Sequence, residues 1–393
     1  MKIAILTQPL HSNYGGILQN YALQTILRRL GHEPVTLDIR QRLMDENISI
    51  TKQFKSFIAT MIYRLQGKNR WKDVAWPFST YKANEKLIHE SHRVFINSHI
   101  RLSKQLCTEE EVRQYTAQEC FDAYVVGSDQ VWRPLYNFLL PSMYLGFLPA
   151  DDRAVKIAYA ASFGTNKWES DAEETEMLRE LAQRFDAISV REQSGIDLCR
   201  KYLATDAIQL LDPTLLLLID DYKMLIKEDG KDLPYEKFVF SYVLDADDEK
   251  LNVQNNVLRM VGLPHYVLGV GLKLSPYARQ NTVRKQLPPP VECWLNAFDK
   301  AECVVTDSFH GTVFSILHHR PFVVLANKVR GMARIETLLG MFGLEDRIVD
   351  ANTSLDKDFL LNGIDWERVD NILSVKRAEA MRYLSQHLSQ SDI

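Results

Sequence analysis

The sequence predicts an α/β protein in which two Rossmann-like domains face each other across a cleft, with a closing C-terminal helix. Three observations predict it. Short β-branched runs alternate with helix-periodic runs along most of the chain, the pattern of parallel sheets with crossover helices. The pattern breaks once, in a charged stretch at 220–235 that contains Gly230 and Pro234, and then begins again. At 393 residues the chain is too long for one ordinary core and fits two. The expected divisions are 1–220 with a basic insertion at about 41–105, then 236–365, then a closing helix at 366–393.

Residues 2–6 read as a buried strand, too short an apolar run for a signal peptide. A polar turn over 7–16 ends in Asn13-Tyr14-Gly15-Gly16. Leu18, Ala22, Leu23, Ile26, Leu27 and Leu30 then share one helical face, and Gly31 suits the residue that ends a helix. Residues 35–38 complete a β-α-β opening. Gly15 and Gly16 either admit a ligand close to the backbone or only make the turn. The spacing is not G-x-G-x-x-G, so a dinucleotide is not indicated.

In the insertion, Phe54, Phe57, Ile58, Met61, Ile62 and Leu65 form an apolar stripe flanked by Lys52, Lys55, Arg64 and Lys68. Such a helix packs on a domain with a solvated basic face, or lies peripherally on an anionic membrane surface. His89, His92 and His99 lack a strong metal-ligand pattern. From 51 to 104 there are eleven Lys/Arg against three acids, so this block is +8 and the rest is −12 within a total of −4. The block asks for an anionic partner; the acidic remainder excludes general nucleic-acid binding.

Four strand ends carry polar groups. The first is the Asn13–Gly16 turn. Residues 121–126 form a strand that ends in Gly127-Ser128-Asp129, where Asp129 either takes a proton from a hydroxyl or caps the next segment. Residues 156–161 lead to Ser162-Phe163-Gly164, and after an acidic helix at 171–184 the strand 187–190 delivers Arg191-Glu192. Arg191 is a bidentate grip for carboxylate or phosphate, or pairs with a neighbouring acid. A helix from 194 to about 202 and an extended stretch at 209–218, with Asp212-Pro213 inside, close the first half.

The second half starts with a strand at 237–244. The Asp245-Ala246-Asp247 turn that comes after it resembles a metal-nucleotide site but more simply caps the helix at 249–261. A strand at 266–270, a loop rich in Pro, Lys and Arg, and a helix at 291–300 come next. The run Cys303-Val304-Val305-Thr306 then feeds Asp307-Ser308-Phe309-His310-Gly311-Thr312 and a helical run at 313–318. That order puts Ser308, His310, Gly311 and Thr312 at a helix N-terminus on the carboxyl end of a strand, where backbone N–H groups favour an anion. A histidine titrates near pH 6.5 and suits acid or base work there, or caps a turn. A strand at 321–326, a helix at 334–342, a short strand at 348–349 and a long helix at 366–388 finish the chain.

No apolar run reaches the roughly 20 residues that span a bilayer. Five cysteines without C-x-x-C read as thiols in a reducing cytoplasm. There is no G-x-S-x-G, P-loop or H-E-x-x-H, so hydrolase, P-loop kinase and zincin readings lack support, and neither a metal nor a cofactor is expected.

The ordered set Asn-Tyr-Gly-Gly (13–16), Gly-Ser-Asp-Gln-Val-Trp (127–132), Ala-Ala-Ser-Phe-Gly (160–164), Ser-Val-Arg-Glu (189–192), Leu-Asp-Pro-Thr (211–214) and Ser-Phe-His-Gly-Thr (308–312) resembles the polysaccharide pyruvyl transferases. The resemblance implies a GT-B-like fold and transfer of pyruvate from phosphoenolpyruvate to hydroxyls of a sugar, in a polysaccharide or its lipid-linked precursor, as a cyclic ketal. The family histidine falls on His310 and a donor-gripping arginine on Arg191, with Asp129 a candidate base. Asn13, Gly15, Gly16, Ser128, Ser162, Ser308, Gly311 and Thr312 are the candidate substrate contacts. Ser308 stands where characterised members often carry arginine. Two other readings stay open: a GT-B-like glycosyltransferase using a nucleotide sugar, and a non-catalytic glycan-binding protein.

Overall fold

The computed structural model describes residues 1–11, 13–40, 58, 81–226, 233–268, 283–284, 287–326 and 331–389. The expected basic amphipathic helix lies outside these residues except at position 58.

Seven strands form the first sheet: β1 (Lys2–Leu6), β2 (Glu33–Ile39), β3 (Leu102–Leu106), β4 (Ala123–Val126), β5 (Val155–Ala161), β6 (Ala187–Val190) and β7 (Ile208–Gln209). Their order is β3-β2-β1-β4-β5-β6-β7 and each pairing is parallel. The second sheet has β8 (Val239–Tyr242), β9 (His265–Val267), β10 (Cys303–Thr306), β11 (Phe322–Leu325) and β12 (Ile348–Val349). It runs β12-β11-β10-β8-β9, again parallel throughout. Both are doubly-wound orders, with a reversal of winding between β1 and β4 in one and between β8 and β10 in the other. The molecule therefore has two Rossmann-like halves, the GT-B-like arrangement expected. Right-handed crossovers put the connecting helices on the sheet faces and the strand carboxyl ends on one edge.

The central strands are buried on both sides, as all-apolar runs in parallel sheets must be. Helix Tyr14–Arg29 packs its buried face on the first sheet and also meets the second half. Tyr14 stacks on Trp294, with ring centroids 5.4 Å apart and planes 9° from parallel, and its hydroxyl donates to Pro289 O at 2.7 Å. One apolar core thus runs through both halves, from Leu18 and Leu23 to Trp294, Phe298 and Phe314. Each such large side chain contributes roughly 1.5–3 kcal/mol by leaving water. The long helix Trp366–His387 returns to the first half. Tyr383 donates to Ala158 O at 3.0 Å, and Arg377 donates to the carbonyls of Leu215 and Leu217.

Three segments differ from the sequence expectation. The first long helix begins at Tyr14, so Gly15 and Gly16 are in its first turn rather than before it. Residues 209–218 are mostly not extended: Asp212 caps a short 3-10 helix, Pro213–Leu215, by accepting from Thr214 N. Helix Lys357–Asn362 is too short to give a clear periodic signal. Among the described helices none is long and apolar enough to cross a membrane. The five cysteines form no disulfide.

Candidate functional site

The two reversal points face each other. On the first half, the β1 and β4 ends are joined by a closed set of bonds around Gln19. Gln19 Nε2 donates to Thr7 Oγ1 (2.8 Å) and Gly16 O (3.0 Å), and its Oε1 accepts from Ser128 N (3.2 Å). Thr7 Oγ1 donates to Ser128 O at 3.0 Å. Gly127 has φ +124 and an added Cβ would fall 2.2 Å from Tyr159 O, so only glycine fits. Asp129 has φ +73, a conformation few side chains adopt, and points toward the glycine turn: a Cβ on Gly16 would be 3.5 Å from its Oδ2.

On the second half, Thr306 anchors the β10 end through its hydroxyl to Tyr242 O at 2.7 Å. Ser308 caps helix Phe309–Leu317 by accepting from Gly311 N, while its carbonyl accepts from both the amide and the hydroxyl of Thr312. The amides of Gly311 and Thr312, expected to face an anion, are thus committed inside the turn. Those of Phe309 and His310 are the first-turn donors that such a cap leaves over. Asp307 accepts from Leu244 N, Asp245 N and Lys250 Nζ, and Asp247 caps helix Asp248–Val261. These acids are therefore structural, and no cluster of metal-ligating side chains occurs among the described residues.

His310 is packed between the two halves. A Cβ on Gly15 would lie 2.0 Å from its Nδ1, so the imidazole rests on bare glycine backbone. Its Nε2 is buried, has no hydrogen-bond partner, and lies 3.7 Å from Asp212 Oδ2, an ion-pair distance. Asp212 is fully enclosed. Its Oδ2 takes Arg191 Nη1 at 2.8 Å and Ser128 Oγ at 2.9 Å; its Oδ1 takes Thr214 N and Oγ1 at 3.0 and 2.6 Å. Burial alone would raise its pKa, but His310, Arg191 and Thr214 together hold it well below the usual carboxylate range. Asp212 is thus a fixed anion.

Arg191 binds acids on both Nη atoms: Asp212, and Asp129 Oδ1 at the longer distance of 3.3 Å. Burial would lower its pKa, and the surrounding Asp212, Asp129 and Glu192 reverse that. Its guanidinium also covers the Phe309 ring at 4.4 Å. Arg334, in helix Ala333–Phe342, approaches the same ring at 6.0 Å. Burial, then repulsion from Arg191, brings Arg334 down to about 10. Two guanidinium groups from different halves therefore approach one aromatic ring beside His310.

The remaining expected residues divide. Ser162 is fully buried and donates to Glu192 Oε1, which also accepts from Phe163 N and Gly164 N, so Ser162 and Glu192 shape the loop. Asn13 is exposed at the head of its helix, within reach of Gly16. Asp212, Gln19 and Arg334 join the site without having been expected there. Asp212 sits inside a stretch whose sequence reads as extended, although Asp-Pro-Thr is a capping pattern. Gln19 is readable as a polar residue on an apolar helix face; Arg334 has no local signal.

The fold is an α/β architecture of two parallel sheets, and the strand ends of both halves bring His310, Asp212, Arg191 and Arg334 to one buried junction. The chain belongs to the polysaccharide pyruvyl transferase family, whose model matches residues 13–329. Among curated proteins none matches it. Similar solved structures include UDP-N-acetylglucosamine 2-epimerase from Rickettsia bellii, at 12% identity over 99% of each chain with a TM-score of 0.47. The S. aureus MnaA–UDP co-structure is 11% identical over 99% of this chain and 98% of that one, with a TM-score of 0.49. An alpha-glucosyltransferase in complex with UDP-glucose and DNA containing an abasic site is 9% identical over 98% and 95%, with a TM-score of 0.44.

Proposed function

We propose that the chain transfers pyruvate from phosphoenolpyruvate to two hydroxyls of one sugar, in a polysaccharide or its lipid-linked precursor, at the junction of its two halves. The observation that carries this reading is His310, set against Gly15 with its buried Nε2 free of hydrogen bonds and 3.7 Å from Asp212 Oδ2, at the end of the Asp212–Arg191–Asp129 chain. The reaction needs a proton on the methylene carbon of the enol phosphate, which makes its C2 electrophilic. A sugar hydroxyl then adds to C2, phosphate leaves with the C–O electron pair, and a second hydroxyl closes the ketal. The hydroxyl protons pass to a base and to the departing phosphate.

In this reading His310 delivers the proton and Asp212 orients its ring. Arg191 receives the donor by exchanging its longer bond, to Asp129, for a donor oxygen. That exchange frees the Asp129 carboxylate, opposite Gly16, to accept the acceptor's proton. Arg334 adds a second positive charge near the departing phosphate. Ser308 caps the helix and leaves that charge to Arg334.

The test is phosphate release from phosphoenolpyruvate in the presence of acceptor saccharide. His310→Ala should lose about 10²–10⁴-fold in kcat. Full activity in that variant sinks the assignment. Stabilisation by nucleoside diphosphates rather than by phosphoenolpyruvate would instead favour a nucleotide-sugar glycosyltransferase.

A further inference from the structure

One side of the junction between the halves carries nitrogen donors that the proposed chemistry does not use. Helix Tyr81–His99 presents His89, His92 and Arg93 on one face, because steps of three and four residues are neighbours. His11, in the loop after β1, lies against His89 with ring centroids 5.9 Å apart. Arg40, immediately after β2, and Arg93 both act electrostatically on His11 and on His89. Three nitrogens here are buried without a hydrogen-bond partner: His89 Nδ1, His92 Nε2 and Arg40 Nε. Asp38 is the nearby acid, and it holds Arg40 through Nη2 at 3.0 Å.

The flank adjoins the His310 site. The His92 ring packs on Tyr14 at 4.7 Å, and Tyr14 immediately precedes the glycine under His310. Ser91 and Tyr14 donate to the carbonyls of Pro288 and Pro289, so this helix face is tied to the second half. Desolvation, then electrostatic interaction with His89, Arg40 and Arg93, lowers His11 to about 4, and burial and His89 do the same to His92. Part of His11 is open to solvent, which leaves the residue within reach of a ligand. Neutral imidazoles beside two guanidinium groups are donors with few acceptors. A phosphate supplies several acceptor oxygens at once. Of these residues His89, His92 and Arg93 lie in the +8 stretch at 51–104, and Arg40 adds a positive charge from outside it.

We propose that His11, Arg40, His89 and Arg93 form a phosphate-binding subsite that holds the phosphate of the sugar acceptor and turns its hydroxyls toward His310. The subsite rests on the pyruvyl-transfer reading for its role, but its binding is measurable alone. The shared chemistry is a phosphate ester, on a soluble sugar phosphate or on a lipid-linked sugar diphosphate.

The experiment is histidine-ring NMR of the full chain during titration with methyl phosphate, with and without saturating phosphoenolpyruvate. The His11 and His89 resonances should move in both series. The dissociation constant should rise at least about tenfold in His11→Gln and in Arg93→Gln. Both residues are exposed, so neither variant opens a cavity. Parallel titrations with a sugar 1-phosphate and with a short-chain lipid sugar diphosphate separate the two sources, the tighter ligand naming the acceptor. Unmoved His11 and His89 rings, or equal affinity in the two variants and the wild type, would overturn the subsite. If phosphoenolpyruvate fails to bind while methyl phosphate moves these rings and the variants weaken it, the subsite stands and the pyruvyl-transfer reading fails.

Discussion

Replacing Gly15 with alanine sets a methyl group against the His310 ring. The added carbon would lie 2.0 Å from Nδ1 and 2.2 Å from Cγ. Non-bonded carbon contacts are comfortable near 3.5 Å, so the ring must retreat by roughly 1.5 Å. The retreat is hindered by the Phe309 ring, whose centroid is 5.1 Å away, and it changes the 3.7 Å spacing to Asp212. A misplacement of about 1 Å at a reacting group costs on the order of 10²-fold in rate. Folding should suffer less. Overpacking costs about 1–3 kcal/mol, and alanine is better than glycine inside a helix by about 1 kcal/mol. The expected variant is folded, destabilised by about 0–2 kcal/mol, and about 100-fold slower in kcat. Phosphate release from phosphoenolpyruvate and thermal unfolding would be measured together. Gly31→Ala is the control: it sits at φ +84 with open space around it, so it should lose about 1–2 kcal/mol of stability and no catalytic rate. Wild-type kcat in Gly15→Ala would refute the placement of His310 at the reacting centre.

Other outcomes are expected on similar grounds. Asp212→Asn removes one partner of a buried ion pair, and should destabilise the fold by about 3–5 kcal/mol in chemical denaturation. The same residue sets an acid limb. Its folded pKa is depressed, so its contribution is complete above the unfolded value of about 3.9 and is lost as pH falls below that toward the folded value. The wild type should therefore lose stability steeply below about pH 4, and Asp212→Asn should flatten that slope. Tyr14→Phe deletes the bond to Pro289 O but keeps the stack on Trp294, so a loss of about 0.5–1.5 kcal/mol is expected by denaturant titration.

Elements with strong local periodicity are legible in the sequence. β1, β6, β10 and β12 and the helix Val291–Lys300 fall at their expected residues. The turn at 306–312 also stands at a helix N-terminus as expected, though Ser308 spends the Gly311 and Thr312 amides within it. The departures have identifiable physical settings. Gly15 and Gly16 are poor helix formers, yet both stand in the first helical turn, Gly15 under His310 of the second half and Gly16 beside Asn13 and Asp129. Asp212-Pro213 looks like a break in a strand because strand and cap signals overlap over so few residues. Arg191 is readable both as an anion grip and as a partner of acids, and only the folded chain shows which acids hold it.

The sequence by itself determined the alternation of strands and helices, and through it the parallel sheets with polar strand ends on one edge. Periodicity of two or 3.6 residues is a property of a short window, and burial of each face enforces it. The tertiary structure decided which strand ends meet. It laid His310 on Gly15, joined Asp212 to Arg191, and brought Arg334 to 6.0 Å from the Phe309 ring. Those groups lie far apart along the chain, and their meeting depends on strand order and on the core shared by the two halves. No window of sequence contains that information, because it resides in the packing of distant faces.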